Sequence, residues 1–298
     1  MSKRIRRVGG AVYAFADGLA YANSIARELD MAVCLIQVHR FPDRETLVRV
    51  PAEAPRRAIL IRSLADPNEK LIEVILAADA IRRAGAHRVA LVAPYLPYMR
   101  QDKVFAPGEP VSQRVIAKLL GESFDAVFTM EPHLHRIRTL SEVFPCRAIN
   151  VPAAPALTAF VRMIGRGTLV AGPDEESGRW VRAIARAAGA AATVGRKQRI
   201  GDRDVRVHFG KIKLVRRAIV IDDIASSGAT LAAAVRELRA HGIERIEAVV
   251  VHAIFAPGAM GLIRRAGACR IVSCDTVVHP TNAIQTARYF AGALGKWR

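Results

Sequence analysis

Short apolar runs alternate with helically spaced segments from one end of this chain to the other. Residues 11–15 form the first apolar run, and residues 18–29 place apolar positions at helical intervals. Residues 33–38 and 46–50 predict two more strands, separated by the polar turn Phe41-Pro42-Asp43-Arg44-Glu45. Residues 57–62 read as a buried strand. A helix then opens with Ser63 or Asp66 as its cap and Pro67 in its first turn, and it places Leu71, Ile72, Val74, Ile75, Ala78 and Ile81 on one face. Residues 88–93 and 125–130 add strands, with a helix beginning at Val111-Ser112 between them.

Near residue 150 the alternation starts again. Residues 152–164 predict a helix, 168–171 a strand, 175–188 a helix and 191–194 a strand. The apolar run 218–221 is followed by a helix over 231–240, a strand over 246–251 and a final helix over 282–294. The halves share a pattern without a close sequence repeat. Strand–helix–strand order with short connections predicts an α/β fold, an open parallel or mixed sheet with helices on both faces in each half. Ligands in such sheets bind beyond the C-terminal ends of the strands.

Composition sets the class. A chain of 298 residues, 51% hydrophobic, buries a sizeable core, and its length fits roughly two domains. No apolar run reaches the ~18 residues of a membrane span, and Met1-Ser-Lys-Arg-Ile-Arg-Arg7 lacks the apolar segment of a signal peptide, so a cytoplasmic location is expected. Cys34, Cys146, Cys269 and Cys274 lie in apolar surroundings with no CxxC pair, which predicts reduced, packed thiols and no structural zinc site. The 45 Lys and Arg against 27 Asp and Glu give a formal charge of +18, a field that attracts nucleic acid or phosphorylated metabolites alike. The basic residues are scattered, as at Arg4, Arg82-Arg83, Arg216-Arg217 and Arg264-Arg265, and no RNA-binding signature accompanies them. That distribution speaks against nucleic acid as the partner.

Candidate chemistry gathers at the strand ends. Asp222-Asp223 follow the run 218–221 and lead into Ile224-Ala225-Ser226-Ser227-Gly228-Ala229-Thr230, where small residues let backbone N–H groups turn toward an anion at the start of a helix. A tight turn capped by Ser227 or Thr230 is the plainer alternative. Adjacent side chains at a strand end point to opposite sides, so at least one of the two acids faces the loop. Residues 94–110, Pro-Tyr-Leu-Pro-Tyr-Met-Arg-Gln-Asp-Lys-Val-Phe-Ala-Pro-Gly-Glu-Pro, are long for a plain connector, and long loops in compact domains are often functional. His133, just past the strand 125–130, suits a metal or a phosphate, or is a helix-start histidine with its ring satisfied. Asp174 ends the strand 168–171 and is either a site acid or the cap of the next helix. Residues 195–204, Gly-Arg-Lys-Gln-Arg-Ile-Gly-Asp-Arg-Asp, read as a mobile polar loop whose cations either close over a polyphosphate or stay solvated.

Taken together, these segments resemble the ribose-phosphate pyrophosphokinase (phosphoribosyl pyrophosphate synthetase) family over nearly the whole chain. The Pro94-to-Lys103 loop and the order Phe-Pro-Asp-x-Glu, strand-end His, strand-end Asp, Lys-x-Arg and ribose-phosphate loop carry the resemblance. It implies two similar phosphoribosyltransferase-type domains, each a mainly parallel five-stranded-type sheet flanked by helices. Residues 1–149 would be the ATP-side domain and 150–283 the ribose 5-phosphate domain, with a helix at about 284–298 packing back on the first.

The implied reaction moves the β,γ-diphosphoryl group of ATP to the C1 hydroxyl of ribose 5-phosphate and releases AMP. By resemblance, Asp222 and Asp223 face the ribose hydroxyls, and Ser226, Ser227, Gly228, Ala229 and Thr230 cradle the 5-phosphate. Arg100 and Gln101 contact ATP, and Phe41, Asp43 and Glu45 reach the adenine from a neighbouring subunit, which implies at least a dimer. His133 and Asp174 position Mg²⁺, and Lys197 and Arg199 close over the transferring group. Attack at phosphorus builds charge on nonbridging oxygens, which Mg²⁺ and a Lys/Arg pair stabilise. The chain departs from the family pattern at Ser226 and Ser227, at Arg44 and Ala229 where glycine is usual, and at Glu131-Pro132. A Cβ at 229 is tolerable only if the backbone there avoids positive φ. The alternatives are a phosphoribosyltransferase, a weakly active regulatory homologue and a nucleic-acid binder, the last of which predicts salt-sensitive binding.

Overall fold

The first apolar run becomes strand β1 (Gly10–Ala14), buried at every residue. The computed structural model describes residues 9–200, 204–212 and 215–297, so the basic N-terminal heptapeptide lies outside the described residues. After a short 3-10 turn come helix α1 (Leu19–Leu29) and β2 (Ala32–Leu35), which pairs parallel with β1. The expected strand 33–38 is cut at Ile36. That residue is buried and donates its N–H to Ala14 O at 2.8 Å, but β1 ends there and offers no further partner. The chain therefore turns out into β3 (Gln37–Arg40), antiparallel to β4 (Thr46–Arg49) in a separate two-stranded hairpin.

β5 (Arg57–Ile61) returns to the sheet beside β1 and leads into α2 (Pro67–Arg83). Asp66 occupies the cap position of α2, with φ 53°, but its side chain makes no capping bond, and the Ser63 hydroxyl is buried without a partner. The buried face of α2 also differs from the expected one. Ile72 is 56% exposed, whereas Glu73 is 1% exposed, because a carboxylate there meets the buried Arg62 guanidinium. β6 (Arg88–Val92), α3 (Ser112–Ser123), β7 (Ala126–Met130) and β8 (Arg147–Val151) complete a six-stranded parallel sheet in the order β2-β1-β5-β6-β7-β8.

The second unit repeats that order. Its elements are α4 (Ala154–Ile164), β9 (Thr168–Gly172), α5 (Gly178–Ala188), β10 (Ala191–Val194), β11 (Arg196–Ile200), β12 (Asp204–His208), β13 (Arg217–Ala225), α6 (Ala229–Ala240), β14 (Arg245–Ala253), α7 (Ala259–Arg265), β15 (Arg270–Cys274) and β16 (Asn282–Ile284). Its parallel sheet runs β10-β9-β13-β14-β15-β16. Residues 196–200, within the mobile loop expected over 195–204, pair antiparallel with 204–208 as β11 and β12. Val205, Val207 and Phe209 point into the core around β13 and α6, and that apolar face anchors the hairpin.

The last helix, α8 (Ala287–Leu294), begins at 287 rather than 282, because 282–284 pair with β15 and Asp275 accepts hydrogen bonds from the Thr286 N–H and hydroxyl at 2.9 and 2.6 Å. The chain divides into two compact units, Met1–Pro152 with Ala287–Arg298, and Ala153–Thr286. Helix α8 packs on α1, and Trp297, 1% exposed, sits edge-on to Phe128 while its carbonyl accepts a hydrogen bond from Arg57 Nη1 at 3.0 Å. Cys34 and Cys274 are buried as expected, but Cys269 is exposed, its position at the rim just before β15 leaving it only a hydrogen bond to Ile246 O. Among the described residues no helix is long and apolar enough to cross a membrane.

Candidate active site

In each sheet the strand order reverses once, between β1 and β5 in the first unit and between β9 and β13 in the second. At such a switch point the helices leave in opposite directions and open a crevice at the strands' C-terminal ends. In the second unit that crevice is bordered by Asp174, just past β9, and by Asp222 and Asp223, near the end of β13.

β13 runs further than its apolar segment predicts. Its pairing with β14 continues through Ile224 and Ala225, so the two acids sit inside the strand and not after it. They are half-buried and lock the local backbone, Asp222 accepting the Asp223 N–H at 3.0 Å and Asp223 accepting the Ile224 N–H at 2.7 Å. Burial first, then the neighbouring charges of Asp223 and Asp174, push the Asp222 carboxyl well above the usual carboxylate range, and Lys197 opposes that rise. Three carboxylates thus share one electrostatic environment with a single described cation.

Ser226, Ser227 and Gly228 form the turn into α6, with Ala229 and Thr230 already helical. Gly228, at φ 77°, occupies the cap position, and no side-chain capping bond forms; the Ala229 N–H reaches the Ser227 hydroxyl only at 3.5 Å. Ala229 has right-handed helical backbone, which meets the condition its Cβ imposes. Apart from that contact, no acceptor for the first N–H groups of α6 is found among the described residues, as suits a helix start that binds phosphate.

Asp174 lies three residues before Ser177, which takes the cap position of α5 in its place, and its two oxygens have separate partners. Its Oδ1 accepts the Ser177 N–H at 3.1 Å and orders the turn into α5, while Oδ2 faces the Lys197 ammonium at 3.4 Å. Lys197 lies on β11, opposite Val207 in the hairpin register, and Arg199 pairs with Val205; the side chain of Arg199 lies outside the described residues. Gly195 permits this approach, since a Cβ there would stand 2.8 Å from Pro173 O.

In the first unit, Arg100 and Gln101 lie in the loop after β6, and His133 lies after the adjacent strand β7. The two loops are joined by an ion pair between Asp102 and Arg136 at 3.6 Å. The 94–110 loop is internally ordered: Gln101 Oε1 accepts from the Ser112 hydroxyl at 2.6 Å, and Glu109 accepts the N–H groups of Phe105 and Ala106. His133 adopts φ 57° and stacks against His135 with ring centroids 4.0 Å apart. Phe41, Asp43 and Glu45 sit in the β3–β4 turn, where Glu45 N–H donates to Asp43 Oδ1 at 3.1 Å and Arg44 stands at φ 74°. That hairpin packs against α2 through β4. Ser177, Arg40 and Glu73 escaped the sequence reading, and only the burial of Glu73 on an otherwise apolar helix face could have flagged the last.

Comparison with known proteins gives concordant results. A family described as the N-terminal domain of ribose phosphate pyrophosphokinase matches residues 12–123, and a phosphoribosyl transferase domain family matches residues 165–288. The ribose-phosphate pyrophosphokinase of Methanopyrus kandleri is 33% identical over 287 residues, covering 95% of this chain and 98% of that one. The ribose-phosphate pyrophosphokinase of Pyrococcus abyssi is 35% identical over 234 residues, covering 78% and 80%. The crystal structure of phosphoribosylpyrophosphate synthetase from Mycobacterium smegmatis matches with a TM-score of 0.82 over 96% of this chain and 97% of that one, at 24% identity, and so shares the fold. Matched in both halves and along nearly its full length, the chain belongs to the ribose-phosphate pyrophosphokinase family.

Proposed function

We propose that the protein transfers the β,γ-diphosphoryl group of ATP to the C1 hydroxyl of ribose 5-phosphate, giving 5-phosphoribosyl 1-pyrophosphate and AMP. The observation that carries this reading is the β13–α6 turn: two carboxylates lead into a helix start with free N–H groups, beside the Asp174–Lys197 pair at the same sheet edge. Asp222 and Asp223 would accept hydrogen bonds from the ribose hydroxyls, and the N–H groups from Ser226 to Thr230 would hold the 5-phosphate. The C1 oxygen then attacks the β-phosphorus, the bond from that phosphorus to the oxygen bridging to the α-phosphate breaks, and AMP leaves with that oxygen. The hydroxyl proton goes to solvent. A loose transition state of this kind needs little help from a base, so the catalytic burden falls on positioning and on Lys197 and Arg199 facing the phosphoryl oxygens.

Mg²⁺ fits the donors present. Asp174, Asp222 and Asp223 offer oxygen only, and the Asp174 carboxylate already holds a cation, the Lys197 ammonium. A magnesium ion carried by substrate phosphates needs one or two protein carboxylates and no larger cluster, and among the described residues none is found. His133 and Asp174 would position the ion. When bound, the ion neutralises charge on the triphosphate. Arg100 and Gln101 would contact ATP, and Phe41, Asp43 and Glu45 would reach the adenine held by a neighbouring subunit, so the working form is at least a dimer.

Incubation with Mg-ATP and ribose 5-phosphate should yield AMP and 5-phosphoribosyl 1-pyrophosphate in equal amounts. Absence of both across metal and phosphate conditions overturns the reading. Lys197→Ala should slow turnover by about 10²–10³-fold, the usual loss for a donor facing transition-state charge, with melting little changed.

A further inference from the structure

The β3–β4 hairpin stands apart from the six-stranded sheet. All four residues of β3 are exposed, and only alternate positions of β4 turn inward, where Val48 packs on the core. A two-stranded hairpin of this kind has marginal stability of its own. Beside the packing of β4, an ionic chain beneath the hairpin helps to fix its angle. Arg40 closes β3, one residue before Phe41. Its guanidinium reaches across to α2, with Nη2 2.7 Å from Glu69 Oε2 and 3.4 Å from Glu73 Oε1.

The far end of this contact is rigid. Glu73 is buried and gives its other oxygen to Arg62, which is 6% exposed. Arg62 also lies 3.9 Å over the Phe15 ring, and its Nε stands 3.3 Å from Asp17 Oδ2. Lys70 completes the series at 3.4 Å from Asp17. Alternating charges therefore run from the hairpin through α2 to the ends of β1 and β5. They border a cavity of 970 Å³ lined in part by Phe15, Asp17, Val38, Arg40, Lys70 and Glu73. Over this opening the base of β3 is propped by charge, not by packed apolar surface. Each of the three cations already faces a carboxylate of the chain, so the crevice does not call for an anionic ligand.

We propose that Arg40 is a positioning residue: held by Glu69 and Glu73, it sets the angle at which the hairpin presents Phe41, Asp43 and Glu45 to the adenine of ATP. This rests on the reaction proposed above and adds a specificity determinant to it. With its guanidinium engaged by Glu69 and Glu73, Arg40 acts through the hairpin.

The full-length protein and its Arg40→Gln, Arg40→Lys and Glu69→Gln variants test this by two readouts. Hydrogen exchange over residues 37–49 should quicken in Arg40→Gln and, less, in Glu69→Gln, and should stay near wild type in Arg40→Lys, which keeps the charge. In the coupled assay Arg40→Gln should raise the KM for ATP by about tenfold, leave kcat and the KM for ribose 5-phosphate within about twofold, and weaken the preference for ATP over GTP. Unchanged exchange overturns the tether. Faster exchange with an unchanged KM for ATP overturns the positioning role. Should the wild type form no product, the proposed reaction fails by itself, and the exchange data still decide whether Arg40 holds the hairpin.

Discussion

Replacing Gly228 by alanine tests the geometry of the phosphate turn directly. Gly228 stands at φ 77°, and a Cβ built on it would lie 3.0 Å from Ala259 O, 3.2 Å from Ile263 Cδ1 and 3.3 Å from Ala259 Cβ. The left-handed conformation costs an alanine about 1–2 kcal/mol. The contact with a backbone carbonyl cannot be relieved by rotating a side chain, and crowding of this sort costs about 1–3 kcal/mol. The sum, about 2–5 kcal/mol, is a large share of the about 5–15 kcal/mol that holds a domain folded. Urea denaturation followed by circular dichroism should show that loss, and the melting temperature should fall by about 5–15 °C. Ala229→Gly is the matched control. Residue 229 is helical, so that change costs only about 0.5–1 kcal/mol of helix propensity and does not relieve strain. A loss below about 1 kcal/mol in Gly228→Ala, or a gain in Ala229→Gly, would refute the assignment of the left-handed residue to 228.

Arg44→Gly should stabilise the β3–β4 turn, because a non-glycine residue at φ 74° gives up about 1 kcal/mol there; slower hydrogen exchange across residues 41–45 is the expected sign. Asp222→Asn should change how stability depends on pH. With the folded carboxyl raised above its unfolded value of about 4, the native state holds the extra proton between the two values, so stability falls as pH rises through that window. The asparagine variant should lose that slope in melts from pH 3 to about pH 8, and a wild-type curve without it would contradict the burial of this acid. Among the thiols, exposed Cys269 should react first with iodoacetamide at about pH 8, ahead of Cys146, which burial raises to about 11, and Cys34, which burial also raises.

What the sequence revealed, and what it concealed, divides along the range of the interactions. Apolar runs such as 57–61 and 88–92 are read correctly because a central parallel strand is buried on both faces whatever its neighbours are. Of the edge strands, β10 is read at 191–194, whereas β8 and β16 are missed. β8 and β16 have half-exposed residues with no alternation, and their existence depends on β7 and β15 being in place. The β11–β12 pairing is hidden in a charged, glycine-bounded stretch, because its stability comes from Val205, Val207 and Phe209 meeting a core built elsewhere. The site shows the same division. Asp222, Asp223, Asp174 and Lys197 are legible as strand-end or loop chemistry, but the 3.4 Å approach of Lys197 to Asp174 is long-range and has no local signature. Glu73 reads as the solvent side of an amphipathic helix until Arg62 is seen beneath it. Arg44 and Ala229, both substitutions for a usual glycine, look equivalent in sequence. Only the backbone separates them: one stands at positive φ, and the other lies in the first turn of a helix.

The two units place opposite electrostatics at the same topological position. At the β1–β5 switch point, Arg62 answers Glu73 and Asp17, Lys70 answers Asp17 again, and Arg40 answers Glu69 and Glu73, so the crevice is neutralised by the chain itself. At the β9–β13 switch point, Asp174, Asp222 and Asp223 face Lys197 as the one described cation, and the Asp222 carboxyl is driven toward its neutral form. Crowding carboxylates in a half-buried cleft raises the cost of ionising them, as it does for Asp222, and that cost falls when hydroxyl donors or a divalent cation arrive. Charge paired within the chain orders structure, whereas crowded like charge favours a ligand. That contrast supports the ligand site proposed in the crevice of the second unit, and it makes the crevice of the first the frame on which the hairpin is hung.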